Sequence, residues 1–158
     1  MKRNLSISFL LVVVVLISMR WLTSGLITPQ SPRGILDFEF ARTPERFRQL
    51  QFFWNHEAVL YNIYVYMLLG IVGGWCLVSA CKLLANSRTN LFSALAISAA
   101  AFNLLENFLM ILVWNQRFDS SVLQMVFYAA VIKFLLVFLV VGYLILSLFG
   151  LFQKESSL

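Results

Sequence analysis

Four apolar runs constrain this chain more than any other feature. They cover residues of about 5–22, 58–84, 91–114 and 122–152. A helix needs about 20 apolar residues to cross the hydrocarbon of a bilayer, and a core helix of a soluble domain needs fewer. Only 12% of the chain is charged and 61% is hydrophobic, whereas a soluble domain carries about 25% charged residues. The runs therefore predict an all-α, four-helix transmembrane bundle, with residues 1–158 forming one membrane domain and little room for a soluble one.

The ends of the runs agree with this reading. Lys2 and Arg3 precede the first run, and Arg20 and Trp21 close it. A long cation near a helix end snorkels, and an indole favours the interface. A basic start before an apolar run also describes a signal peptide, but this run is long for one and no Ala-x-Ala site follows. A retained first span is expected. The net charge of +5 raises nucleic acid as a partner. The basic residues, however, lie scattered at run ends, with no basic stripe, so the expected partner is the lipid bilayer.

Residues 23–57 form the longest polar segment between spans and are expected to be an ordered capping loop. Thr28-Pro29-Gln30-Ser31-Pro32-Arg33-Gly34 is turn material, because proline fixes φ and glycine relaxes it. In residues 35–41, Leu36, Phe38 and Phe40 alternate with Asp37 and Glu39, a strand-like or extended spacing. Thr43-Pro44-Glu45 then reads as a helix start: an N-cap, a proline at the first position and an acid in the first turn. Phe47, Leu50, Phe53 and Trp54 follow at helical spacing between polar residues, as in a short amphipathic helix lying on the membrane or on the spans.

The second span carries Asn62, Tyr64 and Tyr66 early and a GxxxG, Gly70 to Gly74, in its middle. GxxxG lets another backbone approach closely. The third span opens with a small-residue series that includes Ser93, Ala96 and Ala100, so packing within the chain is expected in preference to a homodimer. Tyr64, Tyr66 and Trp54 read as interface-belt residues. Cys76 and Cys81 match neither CxxC nor a metal-ligand spacing and read as packing residues. His56 is the one histidine, and no metal or other cofactor is expected.

The chemistry concentrates at Asn103-Leu104-Leu105-Glu106-Asn107. A carboxylate within an apolar span is costly and needs compensation. Lys133 is the charge available in the fourth span. Measured from Phe118, in the middle of the intervening hairpin, Glu106 and Lys133 lie at depths about 4–5 Å apart, which a lysine stem can bridge. Asn103 shares the face of Glu106 at i−3. Asn62, His56 and the loop acids Asp37 and Glu39 belong to the same half of the bilayer.

Residues 35–46, with Trp54, Leu104-Leu105-Glu106-Asn107 and Lys133, resemble a group of uncharacterised bacterial four-span integral membrane proteins. In that group an acid after the first span, an Asp-x-x-Glu-Asn pattern in the third and a lysine in the fourth are expected. The resemblance carries over to Glu39, Glu106, Asn107 and Lys133. The chain departs at Asn103, where the pattern has Asp. The resemblance implies a bacterial inner membrane and brings no activity with it.

The functional expectation is a multi-pass membrane protein that binds a small hydrophobic or cationic ligand, or a membrane protein partner, around Glu106. The candidate ligand-binding set is Glu106, Asn107, Asn103, Lys133, Asn62, Glu39 and Trp54. The alternatives are an intramembrane isomerase or lipid-modifying enzyme with Glu106 as acid/base, and a structural subunit of a membrane assembly. No Ser/His/Asp or Cys/His set, HExxH or phosphate loop occurs, which leans against an enzyme. Positive-inside counting leans to cytoplasmic termini, with the Lys82/Arg88 hairpin on the same side.

Overall fold

A computed structural model describes residues 2–84, 88–115 and 120–149. It is all-α: α1 (Lys2–Thr23), a short 3-10 turn (Ser24–Leu26), α2 (Ile35–Glu39), α3 (Pro44–Phe53), α4 (His56–Leu84), α5 (Thr89–Trp114) and α6 (Ser120–Leu148). Four helices, α1, α4, α5 and α6, are long and apolar enough to cross a membrane, the architecture of a multi-pass membrane protein. Among the described residues there is no strand beyond one isolated bridge, Thr28 to Ser31. Arg117, Phe118, Asp119, Gly150 and Lys154 lie outside the described residues, as do the centres of the two expected hairpins.

α5 packs between α4 and α6, and α1 packs on α4. α1 and α6 share no interface of comparable size, so a cleft runs between them. Small residues set the α4–α5 contact. A Cβ added at Gly74 would sit 2.7 Å from the Ala100 methyl, and one added at Gly70 would collide with the Asn103 side chain. The GxxxG is thus used within the chain, as its small-residue counterpart in α5 predicts.

The capping loop is ordered by specific contacts. The Trp54 indole Nε1–H donates to the Leu26 carbonyl at 2.9 Å and to Ser31 Oγ at 3.0 Å. Ser31 Oγ in turn donates to Leu26 O at 2.7 Å. Arg46 donates to the Gln30 carbonyl at 2.6 Å. α3 starts as its sequence predicts: Thr43 has extended backbone, its Oγ1 accepts from the Arg46 N–H at 3.3 Å, and Pro44 is at the first position. Phe47, Leu50 and Trp54 are buried, whereas Phe53 is exposed. Phe38 and Phe47 pack on Trp114 at the end of α5, with centroids 5.9 and 6.0 Å away. That cluster seats the loop on the bundle.

Residues 35–41 correct the extended reading. Ile35–Glu39 is helical, and its buried residues are Ile35, Phe38 and Glu39. That is the i, i+3, i+4 stripe of a helix. The apolar alternation of Leu36, Phe38 and Phe40 misled because Leu36 is only half-buried and Phe40 is exposed. Gly34, at φ 60°, turns the chain into α2. The Asp37 carboxylate accepts the Arg33 N–H at 2.9 Å beside that turn. The helical register turns Glu39 inward, and the site depends on that.

Candidate functional site

Three elements bring three charged side chains together. α2 supplies Glu39, α5 supplies Glu106 and α6 supplies Lys133. Lys133 Nζ lies 2.6 Å from Glu106 Oε2 and donates to Glu39 Oε2 at 3.3 Å. The first of these is a charge contact without the alignment of a hydrogen bond, since neither Glu106 oxygen has a hydrogen-bond partner. All three residues are buried, with Glu106 at 0% and Glu39 at 1% exposure. The Lys133 ammonium also lies 4.4 Å from the Phe134 ring centroid, a cation–π distance.

Here one ammonium faces two carboxyl groups. Residual charge is expensive in a medium that cannot solvate it. One proton held by either acid would make the cluster neutral. Burial pushes the Glu39 carboxyl above the ordinary carboxylate range, and the Lys133 ammonium offsets this only in part. The cluster also ties the capping loop to α5 and α6, so the loop and the bundle are held in one register.

Beside the cluster is a cavity of about 490 Å³. Its walls come from all four long helices and α2, including Val12, Leu36, Gly73, Ala99 and Val137. They are almost wholly apolar. The exceptions are Lys133, Asn103 and the Tyr66 side chain. Asn103 is 7% exposed, and its Oδ1 has no hydrogen-bond partner. A Cβ at Gly73 would meet nothing within 4 Å, whereas the space beside Gly70 is filled by the Asn103 side chain.

The expected site residues divide into two groups. Glu39, Glu106 and Lys133 meet, and Asn103 lies beside them on the cavity wall. Asn107 is buried one turn further along α5, where its Nδ2 donates to the Asn103 carbonyl at 2.7 Å. Asn62 and Trp54 do not line the cavity. Thr23 Oγ1 donates to Asn62 Oδ1 at 3.0 Å, which ties α1 to α4. The Trp54 indole is committed to the loop. Glu39 and Glu106 are also absent from the cavity wall, so Lys133, Asn103 and Tyr66 are the polar groups a ligand there would meet.

Tyr66 belongs with the site, although its sequence context predicts an interface residue. It is half-buried, lines the cavity and feels the field of both carboxyls. Tyr64, two residues earlier, is 55% exposed, as an interface residue should be. The available signal was the one-turn spacing from Asn62 to Tyr66, which places both on the inward face of α4. His56 stacks on Trp114 at 5.9 Å and takes no part in the cluster. Cys81 is buried in packing and Cys76 is half-buried, and both are free thiols. Comparison with known protein families, curated proteins and solved structures finds no match for this chain.

Proposed function

We propose that this is a multi-pass protein of a bacterial inner membrane that takes an amphipathic ligand from the bilayer. The ligand's apolar part fills the cavity between α1 and α6, and its polar end lies against Lys133 and Asn103. One observation carries the reading: the cavity is apolar along its length and ends at the buried charge cluster. A cluster that served helix register alone would need no adjoining space. The volume falls within the roughly 300–1,000 Å³ of ligand sites. The cleft between α1 and α6 gives a route from lipid. The resemblance of residues 35–46 and of the Glu106/Lys133 pattern supports the bacterial setting. Lys2, Arg3, Lys82 and Arg88 support cytoplasmic termini.

The acid/base reading of Glu106 is weaker, because Glu106 is fully buried and does not line the cavity. The test is co-purification from native membranes with mass spectrometry of bound small molecules, comparing wild type with Gly73→Leu. The added side chain projects into open space, so this variant should fold. Wild type is expected to carry a specific amphiphile that Gly73→Leu lacks. Equal recovery of the same species from both would refute the reading.

A further inference from the structure

We propose that the outer face of α6, together with the capping loop, holds one anionic glycerophospholipid, its phosphate on Arg42 and an acyl chain along an aromatic stripe of α6. This site is separate from that of the cavity ligand and faces the surrounding lipid.

The stripe follows from the helix period. Phe127, Val131, Phe134 and Phe138 stand at i, i+4, i+7 and i+11 of α6, which puts them on one face. Phe127 is half-buried and the other three are exposed, so among the described residues no helix covers this face. Phe40, which closes α2, leans on the stripe. Its ring meets Phe127 edge-on at 5.9 Å and stacks on Phe134 at 6.1 Å. From Phe127 to Phe138 the rise is about 16 Å. That is about half of a hydrocarbon core of about 30 Å, the length of one acyl chain in its leaflet. Phe134 also lines the cavity, so a chain bound on the stripe borders the cavity wall.

The head of the site is a cation at the matching depth. The Arg42 guanidinium lies over the Phe127 ring, 3.7 Å from its centroid. The apolar span of α6 has 28 residues and rises about 42 Å, roughly 12 Å more than the hydrocarbon core. Centred in the bilayer, it enters hydrocarbon about four residues from its start, near Met125. Phe127 therefore sits at the boundary, just below the phosphates. Tyr128, exposed and with its ring 5.5 Å from that of Phe127, marks the same level, as interfacial tyrosines do.

Arg42 is exposed and, among the described residues, has no carboxylate partner, whereas Arg46 lies 3.9 Å from Asp37. Stacking on Phe127 fixes the guanidinium plane and leaves its N–H edges free, the geometry that grips a phosphate with two parallel hydrogen bonds. With no acid beside Arg42 to receive the ammonium of a zwitterionic head, a head of net negative charge is favoured. An apolar partner helix would cover the stripe and leave Arg42 unpaired; an anionic lipid satisfies both.

The experiment uses purified full-length protein in mild detergent, equilibrated with equal amounts of phosphatidylglycerol and phosphatidylcholine. Native mass spectrometry then counts the retained lipid. Wild type is expected to keep one phosphatidylglycerol, preferred over phosphatidylcholine by at least about tenfold. Arg42→Gln should lose the preference, and Arg48→Gln, at another exposed loop arginine, should keep it. Phe138→Ala should retain less of both lipids at an unchanged ratio. If Arg42→Gln fails to fold, Arg42→Lys decides, because it keeps the charge without the planar fork and should show a reduced preference. Retention of neither lipid by wild type, equal retention of the two, or an equal loss of preference in Arg42→Gln and Arg48→Gln would overturn the site. Gly73→Leu, which fills the cavity, should keep the phosphatidylglycerol; its loss there would overturn the separation of the two sites.

Discussion

Gly73 and Gly74 are neighbours on α4, and the same substitution at each should have opposite effects. At Gly74 a new methyl would lie 2.7 Å from the Ala100 methyl, against a normal contact of about 3.5–4.0 Å. Ala100 has no rotamer that could move its methyl away, so α4 and α5 must separate by roughly 1 Å. Overpacking of this kind costs about 1–3 kcal/mol. Replacing a helical glycine returns at most about 1 kcal/mol. With the full helix-propensity gain subtracted, Gly74→Ala should therefore destabilise by up to about 2 kcal/mol. At Gly73 a methyl meets nothing within 4 Å, so only the helix-propensity gain operates, again at most about 1 kcal/mol. At about 2–4 °C per kcal/mol for a chain of this size, the two variants should differ by several degrees. Thermal unfolding in one detergent, followed by tryptophan fluorescence, measures this. A Gly74→Ala variant as stable as Gly73→Ala would show that α4 and α5 do not meet through Gly74. The fold described above would then be wrong at its centre.

Three further outcomes are expected. Lys133→Met leaves two buried acids without a counter-charge, and breaking a buried pair costs about 3–5 kcal/mol. The variant should unfold far below wild type at neutral pH and recover in part near pH 5, where protonation can neutralise both acids; an unchanged melting curve would refute the cluster. Glu39 binds its proton more tightly in the folded state, so its contribution is complete below an unfolded value of about 4.3 and is lost as pH rises through the raised folded value. Melting temperature should accordingly fall with pH in wild type relative to Glu39→Gln, and parallel curves would contradict the burial of Glu39. Trp54→Phe removes the indole donor to Leu26 O and Ser31 Oγ and should cost about 1–2 kcal/mol, with protease sensitivity appearing first in residues 27–34; a variant as resistant as wild type would place the loop's anchor elsewhere.

Some of this architecture is determined locally. The four spans follow from runs of apolar residues, because a helix in hydrocarbon satisfies its own backbone whatever its neighbours do. The start of α3 follows from Thr43-Pro44-Glu45, since an N-cap is a contact between residues three apart. The approach of Glu106 to Lys133 followed from depth alone: a short hairpin leaves two facing helices few registers, and a stranded charge in lipid must find its opposite.

Only the tertiary structure decided the rest. Five residues of α2 cannot distinguish a period of 2 from one of 3.6 by pattern, and the packing of Ile35 and Phe38 beneath the loop settles it. That choice turns Glu39 into the bundle and makes a pair into a cluster of three. The cavity is likewise invisible in the order of residues. It exists because α1 packs on α4 and leaves α6 uncovered, and helices in lipid choose neighbours by shape rather than by apolarity. Spans can be read one at a time, whereas the space between them depends on all four together.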